Sequence, residues 1–521
     1  MARLAADTGR QGGERTGSLA ALGAFSLSPA GLVVIVAVLT LLRLWFAAIT
    51  PPTEDEAYYR LWGLYPAWGY LDHPPMVGWW MGAGIALAGD TVLALRLIAV
   101  AASALGSLVL YRTARLMFDD ARAAGFAVLV LNATILVGAA GLVTTPDQPS
   151  ALFWGLTLWA LAELTHSGRA RWWLAAGLFA GLGLMSKYSV LFLGAGMVVW
   201  VLAWRENRRW LKAWQFWVAG LLALALFAPV IGWNAGHGWV SFIKQFSRAE
   251  PGPPEPEHIP EFIIGEILLV GPLLVPYVLI GAWMSLRAGW QGDRMRGLLV
   301  ATSVPFVLYL MLHGLHARIQ ANWPAPLFAA TALVAGEAAA RLDSRWPAGR
   351  WLPVVRLLRW LRPWAIGLGL VLGVAVMAHG ARPLGGIISP MDPTQQLRGW
   401  PKLVRQIEAL RVDAGATWIA TQNYAMTGEL SYYLPEVPVV QLNERVRYVA
   451  APEPSMALLS QPGLFVGLER NFYPQYLSFR FRDVRQIGVI ERVAGGVVLD
   501  RYLVMRVADP IANPIRIIPW W

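Results

Sequence analysis

Runs of mostly apolar residues, about 20 long as a hydrocarbon core requires, recur along the chain as far as residue 380. They fall near 30–50, 91–111, 123–142, 149–165, 172–186, 188–204, 213–232, 263–286, 297–312, 323–340 and 363–380. The pattern predicts an α-helical polytopic membrane protein with about eleven spans. The run 76–90 is too short and glycine-rich to cross, so with 55–70 it is read as helix lying along the membrane surface. The proline-rich stretch from Pro251 to Glu257 suits neither helix nor strand and predicts a mobile loop over 233–262, placed to act as a lid. After Gly380 the period changes. A helix over 398–411, a strand over 417–420 and a helix over 424–434 come first. Strands over 437–442, 464–468, 485–490 and 496–507 follow, and together they predict a small C-terminal α/β domain. Three regions result: a disordered tail over 1–28, a membrane domain over 29–380 and the α/β domain over 381–521.

Composition sharpens this. Of 521 residues, 56% are hydrophobic and 14% charged, well below the roughly 25% charged of soluble domains. The net charge of +11 does not point to nucleic acid, because Lys and Arg sit in short clusters between apolar runs, the signature of membrane orientation. One set of connections carries Arg112, Arg115 and Arg122, the Arg205–Lys212 cluster and the Arg341–Arg362 cluster. The opposite set has only Arg60, Lys187, Lys244, Arg248 and Arg318. The first set is therefore cytoplasmic, with the N-terminus, and an odd number of spans places the α/β domain on the opposite, periplasmic side. Without cysteine there is no thiolate chemistry and no disulfide framework.

The chemistry-bearing residues fall on the sparsely charged side. Asp55 follows the first span closely, where partial burial would raise its pKa into the range of a general base; it could instead cap a helix starting at Ala57. Glu54 and Glu56 point elsewhere on such a helix and are expected to be solvated, with Glu56 in reach of substrate. Asp147, in the turn Thr144-Thr145-Pro146-Asp147, is either a helix cap or the group that orients an acceptor hydroxyl or a neighbouring cation. Lys187 and Arg318 are cations suited to a phosphate, and Lys244 is a weaker version. Lys187 could also simply reach for the interface. Tyr59, Asp72, His73, Tyr188 and Asn322 stand nearby as candidate substrate contacts. His313 and His316, at helical spacing, form a metal-ligand pattern without an adjacent acid; no cofactor is called for, and metal dependence is left open.

The stretch DEAYYRLWG…GYLDHPP after a first span, followed in order by TTPD, GLGLMSKYS and RIQANWPAP, resembles the bacterial protein O-mannosyltransferase and aminoarabinose-transferase group over residues 30–330. The resemblance implies the GT-C architecture, with an active site on the outer face. It also implies an inverting transfer of one sugar from a polyprenyl-phosphate donor to a glycolipid such as lipid A, a glycan or a protein hydroxyl. By position, Asp55 would be the base, Asp147 the second acid and Lys187 the lysine facing the donor phosphate. The competing reading is a flippase of a lipid-linked sugar, which predicts functional polar groups through the membrane depth and on both faces; here they gather on one.

Overall fold

The computed structural model describes residues 25–343 and 351–515, apart from 249, 251, 387–388, 390 and 472–474. Most of the expected N-terminal tail thus lies outside the described residues, as do Arg345 and Arg350. The first span is the helix Pro29–Ile49, opened by Ser28, whose hydroxyl accepts from the Gly31 amide, and by a proline at its first turn. It ends where Pro51 and Pro52 can donate no hydrogen bond to the preceding turn.

Among the described residues, five helices are long and apolar enough to cross a membrane: Pro29–Ile49, Val92–Phe118, Trp214–Gly236, Arg294–His313 and Leu352–Ala381. Two sharply bent helix pairs could bring the total to seven, fewer than the eleven runs of the sequence. Part of the difference is length, since Trp172–Leu184 and Phe328–Arg341 have only 13 and 14 residues, and part is breakage. The run 123–142 is interrupted at Thr134, which ends Ala121–Ala133 and caps Ile135–Ala140. The run 263–286 bends by 104° between His258–Val270 and Val275–Trp290, where Gly271 takes a φ of 99° that other residues rarely adopt. The expected loop from 233 is also corrected: Trp214–Gly236 continues through it, and Val240–Ser247 forms a further helix.

The bundle packs around one large apolar core in which Trp154, Trp173, Trp200 and the alanine-rich helix Phe328–Arg341 are buried. Burial of such side chains, at roughly 25 cal/mol per Å² of apolar surface, holds the helices once they are in place. At one end of the bundle, Glu54–Leu64 packs against Met76–Ala88, with tyrosine and tryptophan rings filling the space between them.

The C-terminal region is a five-stranded sheet of order β2-β1-β3-β5-β4, with β1 Trp418–Thr421, β2 Val439–Gln441, β3 Gly463–Leu468, β4 Phe481–Ala494 and β5 Val497–Pro510. β1 pairs in parallel with β2 and β3, and β3, β5 and β4 are antiparallel. Helices Trp400–Asp413 and Tyr424–Tyr433 cover one face through Leu403, Ile407, Met426 and Leu430. The other face buries Trp418, Phe465 and Met505. The expected strands are present, with β4 longer than its apolar pattern suggested.

Candidate active site

Asp55 owes its position to the residues around it. Thr53 and Glu56 form a capping box: the Thr53 hydroxyl accepts from the Glu56 amide at 3.1 Å, and the Glu56 carboxylate accepts from the Thr53 amide at 3.0 Å. The helix therefore begins at Glu54, not Ala57, and Thr53 supplies the cap, so Asp55 is not the capping acid. Glu56 is fully buried, against the expectation that it is solvated. Its carboxylate is gripped by the Arg96 guanidinium at 2.6 and 2.8 Å and accepts the Thr144 amide at 3.0 Å. Arg96 also donates to the carbonyls of Ala47, Thr50 and Pro51. One ion pair thus fastens the end of the first span, the Asp55 helix and the turn carrying Asp147. Glu56 holds the site together, and its carboxylate faces Arg96 and not an open substrate space.

Asp147 is the first residue of the helix Asp147–Ser167, and its carboxylate makes no capping bond. Instead Lys187 Nζ lies 2.5 Å from Oδ1, and Asn322 Nδ2 donates to Oδ2 at 2.6 Å. Three segments far apart in the chain meet at this carboxylate, and the reading in which Asp147 orients a neighbouring cation fits the geometry. Asp55, Asp147, Gln148 and Asn322 line one cavity of about 330 Å³, which continues between Ala102, Gly106, Leu110, Thr113, Leu131 and Leu333.

Asp72 is a structural knot. Its carboxylate takes Lys244, Arg447 and, at 2.8 Å, the Tyr58 hydroxyl. Burial would raise its pKa, but the cations Arg447 and Lys244 outweigh that and hold it well below the usual carboxylate range. Lys244 is thereby committed to Asp72, away from the cavity. His73 is half-buried, and desolvation, with Lys187 adding to it, lowers its pKa to about 3, so the ring is neutral at ordinary pH. Tyr59 packs edge-on to His73, and the Tyr188 hydroxyl bonds Ser241 at 2.7 Å. Arg318 does not join the group: its side chain is 72% exposed and pairs with Glu261 at 2.5 Å. Among the described residues no three His, Asp or Glu side chains come together as a metal site; His313 and His316 simply pack on each other.

Sequence reasoning missed the contribution of the sheet region. The Tyr424 hydroxyl donates to Asp55 Oδ1 at 3.2 Å. The approach is possible because Gly428, one turn along, lies against the backbone of Ala57 and Tyr58, where a Cβ would come within 2.7 Å of the Tyr58 nitrogen. The available signal was positional: Tyr424 follows the carboxyl end of a parallel strand, where α/β sheets present functional groups. Burial pushes the Asp55 pKa up to about 6, with the Tyr424 bond opposing and the neighbouring acids Asp72 and Asp147 reinforcing the rise. Because that bond favours the ionised form, Tyr424→Phe should raise the pKa further. The acid limb of the pH–rate profile then moves to higher pH, and activity falls more at pH 6 than at pH 8. Equal loss across the pH range would mean that Tyr424 only packs.

The protein family described as dolichyl-phosphate-mannose-protein mannosyltransferase matches residues 72–233. The lipid A galacturonosyltransferase RgtD of Rhizobium johnstonii is 27% identical over 390 residues, 73% of this chain and 77% of that protein. The undecaprenyl phosphate-alpha-4-amino-4-deoxy-L-arabinose arabinosyl transferase of Edwardsiella ictaluri is 30% identical over 263 residues, 46% of this chain and 45% of that one. In three dimensions, ArnT from Cupriavidus metallidurans bound to undecaprenyl phosphate superposes with a TM-score of 0.63 at 17% identity, covering 94% of this chain and all of that one. Fold and sequence likeness agree: the chain is a multi-span membrane glycosyltransferase with the GT-C fold, resembling the aminoarabinose and galacturonosyl transferases.

Proposed function

We propose that the chain moves a single sugar, with inversion, from a polyprenyl-phosphate donor to a hydroxyl of an envelope glycolipid on the periplasmic face of the bacterial inner membrane. The observation that carries this reading is the cavity joining Asp55, Asp147 and Asn322 to an apolar channel. Its wall along Val92–Phe118 runs from Ala99 to Thr113, roughly 20 Å at the helical rise per residue. A ligand with a polar head and a long hydrocarbon tail suits such a space. Similarity to lipid A and aminoarabinose transferases supports the donor class and favours a glycolipid acceptor over a protein.

In the proposed step the acceptor oxygen attacks the anomeric carbon while its proton passes to ionised Asp55. The bond from that carbon to the donor phosphate breaks, and its electron pair leaves with the phosphate oxygen. Lys187, held by Asp147 until the donor arrives, turns toward that developing charge; a cation in a water-poor site is worth more than in water. His73, neutral beside Lys187, does not compete for the phosphate as a cation. No metal is required by this scheme.

The test is transfer of label from polyprenyl-phosphate sugars by the purified protein, with Lys187→Met in parallel. Labelled acceptor is expected from the native enzyme, with the rate lowered about 100-fold or more in the variant, the range seen when a transition-state electrostatic partner is lost. Passage of intact labelled lipid across vesicles without sugar release would overturn the reading in favour of a flippase.

A further inference from the structure

A second cavity, of about 260 Å³, opens at the carboxyl ends of the parallel strands. β1 and β3 are parallel neighbours, and the chain leaves β1 toward β2 on one side but leaves β3 toward β4 on the other. That reversal opens the crevice in which α/β sheets bind ligands. Gln422 and Asn423 follow β1, Asn443 follows β2 and Arg470 follows β3; all four line the cavity, together with the rings of Trp400 and Tyr502. Across from them stands Glu54, the neighbour of Asp55. Two adjacent pairs therefore form one partition. Asp55 lines the apolar cavity and Glu54 the polar one, while Tyr424 bonds Asp55 and Asn423 lines the polar side.

The chemistry of the walls selects a ligand. Amides and carboxylates supply both donors and acceptors, above the buried rings of Trp400 and Tyr502. Asp500 is met by Arg492 and, at 3.3 Å, by Arg470, so its charge is answered. Burial raises the Glu54 pKa to about 7, against the opposing pull of Arg492. The cavity thus offers no concentrated positive charge for a phosphate, and its polar lining is a poor bed for an acyl chain. We propose that it is the acceptor-recognition site, holding a hydroxyl-rich sugar ring of the acceptor remote from the hydroxyl that reacts. This rests on the transferase reading above. Binding energy gained at a remote ring is then used to orient the reacting hydroxyl beside Asp55, and Glu54 and Tyr424 lie directly between the two events.

The test uses the full-length protein in detergent and two readouts. Equilibrium binding of a radiolabelled glucosamine disaccharide is measured for the native protein and for Gln422→Trp, which fills the cavity from its rim, and Arg470→Ala, which removes an exposed donor. Transfer to purified lipid A is followed in the same samples. The proposal predicts saccharide binding that Gln422→Trp abolishes and Arg470→Ala weakens. In the transfer assay it predicts a KM for lipid A raised about tenfold, about 1.4 kcal/mol, with the KM for the donor unchanged. Absence of saccharide binding by the native protein, or equal binding by Gln422→Trp, overturns it. A native protein that binds the saccharide but transfers no sugar would leave saccharide binding in the cavity standing and refute the transferase reading, and with it the acceptor role.

Discussion

Asp55→Asn is expected to reduce sugar transfer by at least 100-fold while leaving the fold intact. General-base assistance contributes about 10²–10⁴ in rate, and the amide is nearly the same size as the carboxylate but cannot accept the acceptor's proton. The pH dependence of the native enzyme should report the same group. With the Asp55 pKa raised to about 6 by burial, the base is protonated and inactive below that value, so activity rises with pH through about 6. The stability consequence has the opposite sign. A carboxyl whose pKa is raised on folding stabilises the protein at low pH and loses that contribution as pH climbs from about 4 toward 6. At pH 7 the native protein carries this partly buried charge at a cost, so the asparagine variant should unfold at the same temperature or slightly higher. A variant that lost activity together with its thermal transition would instead indicate a structural acid.

The second large effect is on stability. Arg96→Met should lower unfolding free energy by about 3–5 kcal/mol, the usual result of leaving one partner of a buried ion pair uncompensated. Arg96 and Glu56 both have fully buried side chains, and Glu56 would lose its main partner while three carbonyls lost their donor. Thermal unfolding in detergent reads the loss, and activity should fall with it because the turn bearing Asp147 is tied to Glu56 through the Thr144 amide. The double variant Arg96→Met, Glu56→Leu should recover part of the stability, since it removes both charges together.

The gathering of Asp55, Asp147, Lys187 and Asn322 at one end of the bundle was legible in the sequence, because short connections and charge asymmetry dictate which loops share a side. The role of Glu56 was legible too, but in a different pattern. Thr53-x-x-Glu56 is a capping-box sequence that places Glu56 in the first turn of the helix, and reading Glu54 and Glu56 as solvated hid it. Arg318 looked equivalent to Lys187 by residue type. Sequence carries no signal for which of two loop cations turns inward, and here Glu261 holds the arginine outside. Tyr424 and Arg447 could not be paired with Asp55 and Asp72 from spacing alone, since those contacts bridge more than 350 positions and depend on how the sheet region docks. Hydropathy also registers apolar length but not the kink at Gly271 or the break at Thr134.

The most direct measurement is the anomeric configuration of the sugar before and after a single turnover by the purified protein. With Asp55 as base and the donor phosphate leaving in line, one displacement occurs and the configuration inverts. Retention is incompatible with a single in-line displacement and would contradict the account given for Asp55.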